Sequence, residues 1–204
     1  GSDTEILKYS WLSTKDATRQ ATFGMEGGAG RVCLVASGRG PSNRDIDRVG
    51  EITKSIKDSN PQLEVCACLG FLKDNQAERL KEYGVDAYNH NLNTAESNYE
   101  EICSTHTFEQ RTDTVKKAKA GGLSPCSGLI VGMGESDEQV IEAIDSLREL
   151  DSDSIPVNFL IPFEGTPMEG VHHLTPQHSM RILAAVRFMC PCLLYTSPSP
   201  RDAT

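Results

Sequence analysis

Short apolar runs alternate with amphipathic segments along most of the chain. Apolar runs rich in β-branched residues are typical of strands covered on both faces, and apolar residues three or four positions apart are typical of helices that pack on a sheet. The first regular pair joins a strand at Val32–Ala36 to a helix at Asn43–Asp58. Ile46, Val49 and Ile52 share one face of that helix, so this stretch is predicted to be a β-turn-α unit.

The same unit repeats along the chain. Further strands are predicted at Leu63–Leu69, at Val85–His90, at Leu129–Val131 in a fourth strand that Cys126 begins, and at Ile155–Ile161. Further helices are predicted at Thr14–Glu26, Asp74–Tyr83, Ala95–Ile102, Phe108–Ala120, Asp137–Leu150 and Pro176–Phe188. Strands and helices that alternate at this spacing indicate an α/β fold with a parallel sheet, and in particular a (βα) barrel of the TIM type. Five strands are too few to close an eight-stranded barrel, so we predict a partial barrel.

The composition of the 204 residues favours one domain that binds a small molecule. With 38% hydrophobic residues, the chain can bury a sizeable core. The net charge of −9 argues against nucleic acid and membrane surfaces as partners, because both are bound by clustered Lys and Arg. No apolar run is long enough to span a bilayer, and Gly1–Leu12 lacks the order of a signal peptide, so we expect a cytoplasmic protein.

The last segment, Cys192–Thr204, departs from the pattern. It contains Pro198 and Pro200 and has no hydrophobic period. We expect residues 192–204 to be a non-native or disordered tail, and residues 1–191 to form the partial barrel. An ordinary disordered terminus is the alternative to a non-native sequence.

Cysteines lie on three of the predicted strands. Cys33 lies on the first strand, Cys66 and Cys68 lie on the second, and Cys126 begins the fourth. Thiolates from separate strands that face a common interior can hold an iron–sulfur cluster. The commoner alternative is that buried cysteines act as small hydrophobic residues, and the spacing alone favours that alternative.

Amides cluster where the third strand ends, within Tyr88–Thr94. Asn89 and Asn91 precede the turn, where a polar side chain is costly to bury unless a polar ligand meets it. Asx hydrogen bonds within the turn are a fair alternative for Asn93. Asn158 is a further amide in an otherwise apolar strand. Because an amide both donates and accepts hydrogen bonds, these residues suit a ribose, a carboxylate or a urea-like ring.

A glycine-rich turn follows the fourth strand. Gly132 and Gly134 allow positive φ and a close approach to the main chain, and Ser136 supplies the N-cap of the next helix. Ligands bind at this carboxyl end of the strands in parallel α/β folds. The alternative is a tight βα turn that binds no ligand.

Five motifs carry a family resemblance. They are Val-Ala-Ser-Gly-Arg-Gly-Pro-Ser at 35–42, Tyr-Asn-His-Asn-Leu-Asn-Thr at 88–94, Ser-Thr-His-Thr-Phe at 104–108, Pro-Cys-Ser-Gly-Leu-Ile-Val-Gly-Met-Gly-Glu at 125–135, and Asp-Ser-Ile-Pro-Val-Asn-Phe-Leu at 153–160. In this order and spacing they resemble the biotin synthase family of radical S-adenosylmethionine (SAM) enzymes, over most of Gly30–Pro191. The resemblance implies a radical SAM barrel that inserts sulfur into dethiobiotin to form biotin.

The resemblance also implies a ligand for each candidate residue. Cys33, Cys66 and Cys126 match the cysteines that hold a [2Fe-2S] cluster, which is the sulfur donor of the family. Asn91 and Asn158 match the amides that approach SAM and dethiobiotin. The remaining matches are to SAM-binding positions, namely Asn93 at the ribose contact, where many members have an acid, and Gly128, Ile130, Gly132 and Glu135 of the motif that supports the adenine.

Two features of the family are missing from this chain. The signature Cys-x3-Cys-x2-Cys, which holds the [4Fe-4S] cluster that reduces SAM, does not occur, and the arginine ligand of the second cluster should lie beyond Pro191. We therefore expect an internal fragment of a biotin synthase that is inactive by itself. The resemblance implies that its parent uses dethiobiotin, SAM and an electron donor such as flavodoxin or ferredoxin, and forms a homodimer.

Two other functions stay open. Another radical SAM barrel enzyme, of the hydrogenase maturase or methylornithine synthase type, would share the fold, although cysteines on three strands argue against it. A non-catalytic iron–sulfur or ligand-binding module belongs to a different class. A Cys-x3-Cys-x2-Cys signature upstream in the parent reading frame would decide for an enzyme.

Overall fold

The structure is a computed structural model that describes residues 10–162, 164–171 and 174–191. The helices are Thr14–Glu26 (α1), Asn43–Ser59 (α2), Gln76–Glu82 (α3), Tyr99–Ile102 (α4), Phe108–Ala120 (α5), Asp137–Glu149 (α6) and Pro176–Met189 (α7), with a 3₁₀ turn at Glu96–Asn98. The strands are Arg31–Val35 (β1), Glu64–Cys68 (β2), Ala87–Asn89 (β3), Ser124–Cys126 (β4), Leu129–Val131 (β5) and Val157–Phe159 (β6). No helix among these residues has the length and apolar character that crossing a membrane requires.

The described residues divide into two compact units. The first unit contains residues 10–90 and 113–125, and the second contains residues 91–112 and 126–191 apart from the undescribed positions. A four-stranded sheet has the order β1-β2-β3-β4, and a separate two-stranded sheet pairs β5 with β6. The pairs β1–β2, β2–β3 and β5–β6 are parallel, which confirms the predicted α/β class.

In the first unit, α1 and α2 cover one face of the sheet. Ala17 and Ala21 of α1 pack with Ile52 and Ile56 of α2 against Val65 of β2. The loops that follow β1 and β2 also contact each other closely. At Gly70, with φ of 93°, a Cβ atom would lie 2.5 Å from the carbonyl oxygen of Arg39, so this approach requires a glycine. The sheet therefore has one face covered by helices and a fixed pair of loops at the carboxyl ends of its first two strands.

In the second unit, α6 and α7 cover β5. Leu129 and Val131 pack with Ile144 and Leu147 of α6 and with Ile182 of α7. Helix α6 begins at the predicted N-cap Ser136. The structure adds a capping box, in which the Ser136 side chain accepts from the Gln139 main chain and the Gln139 side chain accepts from the Ser136 main chain. This packing places the start of α6 directly after the glycine-rich turn.

The strand predicted at Leu129–Val131 is confirmed as β5, but Cys126 does not begin that strand, because the structure places Cys126 on a separate strand, β4. The main-chain N–H of Gly128 donates to the Asn91 side chain at 3.1 Å instead of to a strand carbonyl, and Ser127 and Leu129 donate to Ser154 and Pro156. A side-chain acceptor therefore interrupts the ladder at Gly128. The helix predicted at Ala95–Ile102 is likewise divided into the 3₁₀ turn and α4. The tail predicted at 192–204 lies outside the described residues, so it stays a prediction.

Candidate functional site

The cysteines of β1 and β2 lie on the face of the sheet that α1 and α2 leave uncovered. Val32 and Leu34 of β1 pack against the helical core together with Val65 and Ala67 of β2. Since successive side chains of a strand point to opposite faces, the intervening Cys33, Cys66 and Cys68 point away from the helices. This thiol face is the candidate site of the first unit.

Cys33 and Cys66 are directly paired across the two strands. Cys33 is exposed and Cys66 is buried. A hydrogen bond from Cys66 lowers the pKa of the Cys33 thiol to about 6, with a further contribution from the charge of Arg31 and against the effect of burial. The pair thus holds a thiolate at neutral pH, which is the form that binds iron.

Cys68 lies two residues after Cys66 on β2, so its side chain points to the same face of the sheet. Its thiol donates to Asn89 Oδ1 at 3.4 Å. Cys68 therefore shares the sheet face of Cys33 and Cys66 and contacts the amide-rich stretch through Asn89. The resemblance, and not the structure, matches Cys66 rather than Cys68 to a cluster ligand, so this assignment stays a prediction.

Cys126 is buried at the end of β4, and its main chain pairs with Ser154. By its contacts it belongs to the second unit, whereas Cys33 and Cys66 belong to the first. Within the described ranges, no three His, Cys, Asp or Glu side chains are grouped so as to hold one metal ion. The structure thus brings Cys33 and Cys66 together, and the predicted third ligand stays a prediction.

The amides of the second unit surround the main chain of β5. Asn91 Oδ1 accepts from Gly128, as described above, while Asn93 donates its N–H to the Gly128 carbonyl and accepts from Ile130 N–H at 2.8 Å. Asn93 has a φ of 74°, in the left-handed region that asparagine tolerates well. The main-chain geometry alone therefore favours asparagine at position 93, whatever ligand its side chain meets.

Arg111 of α5 is a residue of this site that the sequence interpretation missed. Its Nη1 donates to the main-chain carbonyl of Asn91 at 2.7 Å, and its Nε donates to the Tyr99 hydroxyl and to His106 Nε2. A lone arginine on a polar helix gives no sequence signal by itself. His106 does belong to the motif at 104–108, for which no role was predicted.

The glycine-rich turn is closed from within by Glu135. Its two carboxylate oxygens accept from the N–H groups of Gly132 at 2.6 Å and of Met133 at 2.8 Å. Gly132 and Gly134 have φ values of 97° and 105°. Glu135 therefore fixes the main chain of the turn, and Ile130 lies half-buried on the strand before it.

Asn158, the other predicted amide, is exposed on β6. It pairs in register with Ile130 of β5, and its Nδ2 donates to the Leu129 carbonyl at 3.3 Å. The structure thus places Asn91, Asn93 and Asn158 along the two edges of β5, each bonded to the main chain of residues 128–130. These amides form the candidate site of the second unit.

Two family models match the chain. The model described as the radical SAM superfamily matches residues 3–147, which is more than half of the chain, and the model described as the biotin and thiamin synthesis associated domain matches residues 156–196. The first match includes the thiol face and the glycine-rich turn, and the second includes Asn158.

Curated relatives called biotin synthase are similar over nearly the whole chain. The Kocuria rhizophila protein is 64% identical over 188 residues, which are 92% of this chain and 40% of the relative. The Saccharopolyspora erythraea and Streptomyces coelicolor proteins are each 63% identical over 191 residues, which are 94% of this chain and 54% and 47% of the relatives. The chain thus spans about half the length of the curated relatives it matches.

Solved structures with the same fold support the partial barrel. A methylornithine synthase has a TM-score of 0.79 at 24% identity, over 94% of this chain and 56% of that structure. A maturase of the FeFe-hydrogenase from Carboxydothermus hydrogenoformans has a TM-score of 0.78 at 20% identity, over 97% of this chain and 49% of that structure. Likeness at this identity concerns the fold alone, and the fold prediction is confirmed. With the match of residues 3–147, it follows that the chain belongs to the radical SAM superfamily.

Proposed function

We propose that this chain is part of a biotin synthase, an enzyme that uses SAM to insert sulfur into dethiobiotin and so forms biotin. The observation that carries the proposal is the identity of about 60% to relatives of that name along 92–94% of the chain. Methylornithine synthase and hydrogenase maturase resemble the chain at the level of fold only. The relatives thus favour sulfur insertion over the other radical SAM reactions.

In this proposal, Cys33, Cys66 and Cys126 hold a [2Fe-2S] cluster. The paired thiols of Cys33 and Cys66 fit two of its ligands, because the Cys33 thiol is already ionised near pH 7 and both sulfurs point to the uncovered face. When bound, the cluster would supply the sulfur atom that enters the substrate. The residues of this chain would hold the cluster in place.

The amides and the glycine-rich turn bind SAM and dethiobiotin in the same proposal. Asn91 and Asn158 offer donors and acceptors of the kind that the ureido ring of dethiobiotin needs. The uncharged side chain of Asn93 binds the ribose of SAM through a hydrogen bond. The main chain of Gly128, Ile130 and Gly132 binds the adenine. Glu135 stabilises the turn by accepting hydrogen bonds from the N–H groups of Gly132 and Met133.

The [4Fe-4S] cluster that the superfamily implies does not fit the residues of this chain. The sequence contains no Cys-x3-Cys-x2-Cys, and its seven cysteines include no three at comparable spacing. Reduction of SAM therefore needs residues from outside this sequence, and the same holds for the arginine ligand of the second cluster. An electron donor of the flavodoxin or ferredoxin type and a homodimeric state belong to the complete enzyme and to this same proposal.

A graft tests the proposal. In the grafted enzyme, residues 10–191 of this chain replace the matching segment of the Kocuria rhizophila biotin synthase. We expect the graft to restore growth without added biotin to a bacterium that lacks biotin synthase but makes dethiobiotin, because the graft joins the missing signature to this site. The ungrafted relative is the positive control. A soluble graft, intact by mass spectrometry, that supports growth only when biotin is added would refute the proposed function.

A further inference from the structure

Arg111 replaces a strand contact of Asn91. In the parallel arrangement beside β5, Ile130 N–H donates to the main-chain carbonyl of Asn93, so a regular ladder would pair Gly128 N–H with the main-chain carbonyl of Asn91. Arg111 Nη1 binds that carbonyl at 2.7 Å, and Gly128 donates to the Asn91 side chain instead. The direction of the Asn91 side chain therefore depends on where the guanidinium lies.

The imidazole of His106 also contacts the guanidinium of Arg111. Its Nε2 accepts from Arg111 Nε at 3.1 Å and lies 2.7 Å from Arg111 Nη2. Because arginine only donates, Nε2 carries no proton, and the proton of the neutral imidazole lies on Nδ1, 2.9 Å from Thr105 Oγ1. The Tyr99 hydroxyl accepts a further bond from Arg111 Nε, and its ring meets the His106 ring edge to face.

We propose that His106 is a positioning residue of the site: acting through Arg111, it sets the main chain of Asn91 and thereby the direction of the Asn91 amide. His106 is half-buried and accepts from Arg111 at Nε2, while Thr105 contacts Nδ1 and Cys103 Sγ lies 3.4 Å from both ring nitrogens. This inference assigns a role to the motif at 104–108. The expected effect on catalysis rests on the proposed function. The claim that His106 sets the direction of the Asn91 side chain does not.

Hydrogen exchange of the Gly128 amide tests the geometry in the 204-residue chain itself. The Gly128 N–H is protected by Asn91 Oδ1, so its exchange reports how firmly that side chain is held. We expect His106→Leu to speed Gly128 exchange about tenfold, the lower bound for a lost hydrogen bond to a charged group. The Gly132 amide, which donates to Glu135 in the same unit, should keep its rate.

Two variants separate positioning from general loosening. His106→Gln keeps an acceptor for the guanidinium, and we expect it to restore Gly128 protection. His178→Leu removes a half-buried histidine that pairs with Asp137 elsewhere in the second unit, and it should leave the rate unchanged. Equal exchange at Gly128 in wild type and His106→Leu would overturn the inference, as would equal loss of protection in the Leu and Gln variants or a matching acceleration at Gly132.

The grafted enzyme gives the functional readout. We expect His106→Leu to raise the KM for SAM or dethiobiotin several-fold with little change in kcat, and His106→Gln to reverse the change, because a misdirected Asn91 weakens binding. Unchanged KM values would contradict the catalytic consequence. If the unmodified graft forms no biotin, the proposed function fails, and Gly128 exchange still decides the role of His106.

Discussion

Replacing Gly128 by alanine tests the packing of β5 against the segment before β6. A Cβ atom at this position would lie 1.9 Å from the Pro156 carbonyl oxygen and 2.8 Å from Pro156 Cγ, and neither atom is the end of a flexible side chain. The φ of Gly128 is not among the positive values, so an alanine can adopt the backbone conformation. The expected cost therefore comes from the clash, which only a separation of the two segments can relieve.

The magnitude follows from the contacts that separation breaks. Overpacking a tight site costs about 1–3 kcal/mol. The bonds from Leu129 N–H to Pro156 O at 3.0 Å and from Gly128 N–H to Asn91 Oδ1 at 3.1 Å add about 0.5–1.5 kcal/mol each if they are lost. We expect Gly128→Ala to lower the free energy of unfolding by about 2–6 kcal/mol, against a typical total of about 5–15 kcal/mol.

Urea denaturation followed by circular dichroism measures this change, with two glycines as controls. At Gly134, which has a positive φ and open space around it, alanine should cost only the backbone strain of about 1–2 kcal/mol. At Gly30, where φ is not positive and nothing lies within 4 Å, alanine should change stability by less than about 0.5 kcal/mol. A Gly128→Ala chain as stable as Gly30→Ala would refute the close approach of residues 128 and 156.

Three further outcomes are expected of the 204-residue chain. Alkylation of Cys33 should rise with pH through about 6, and Cys66→Ala should move that midpoint upward, because the Cys66 hydrogen bond is the main cause of the low pKa; an unmoved midpoint would contradict this cause. Leu147→Ala, at a fully buried position, should cost about 2–5 kcal/mol in urea melts, whereas Ile141→Ala, at a 44% exposed position, should cost much less. With iron, sulfide and reductant supplied, the chain should form no 5′-deoxyadenosine above a no-protein control, since it lacks the cysteine signature.

The helices and the order of the elements could be predicted because their signals are local. Helix α1 has the predicted bounds Thr14–Glu26, and α5 has the predicted bounds Phe108–Ala120. Strand ends were less accurate: the strand predicted at Ile155–Ile161 is only Val157–Phe159. A strand ends where its pairing ends, and pairing depends on residues far away in the chain.

The parts of the site that the sequence did not predict depend on such distant contacts. The break between β4 and β5 arises from the Asn91 side chain, which lies 37 positions from Gly128 in the sequence. The low pKa of Cys33 arises from its pairing with Cys66 across two strands. Arg111 and His106 look like ordinary polar residues until Asn91 is placed beside them. In contrast, the asparagines themselves were predicted as a cluster because polar residues at strand ends are unusual.

The central claim is that Cys33, Cys66 and Cys126 together hold the sulfur-donating cluster, and the most direct test is the biotin yield of the grafted enzyme with Cys126→Ala. Cys126 and Cys190 are both buried cysteines, so Cys190→Ala is the matched control for loss of packing. Biotin is measured per enzyme chain alongside 5′-deoxyadenosine, which reports SAM cleavage. The account predicts no biotin but continued SAM cleavage from Cys126→Ala, and a full yield from Cys190→Ala. A full biotin yield from Cys126→Ala would contradict it.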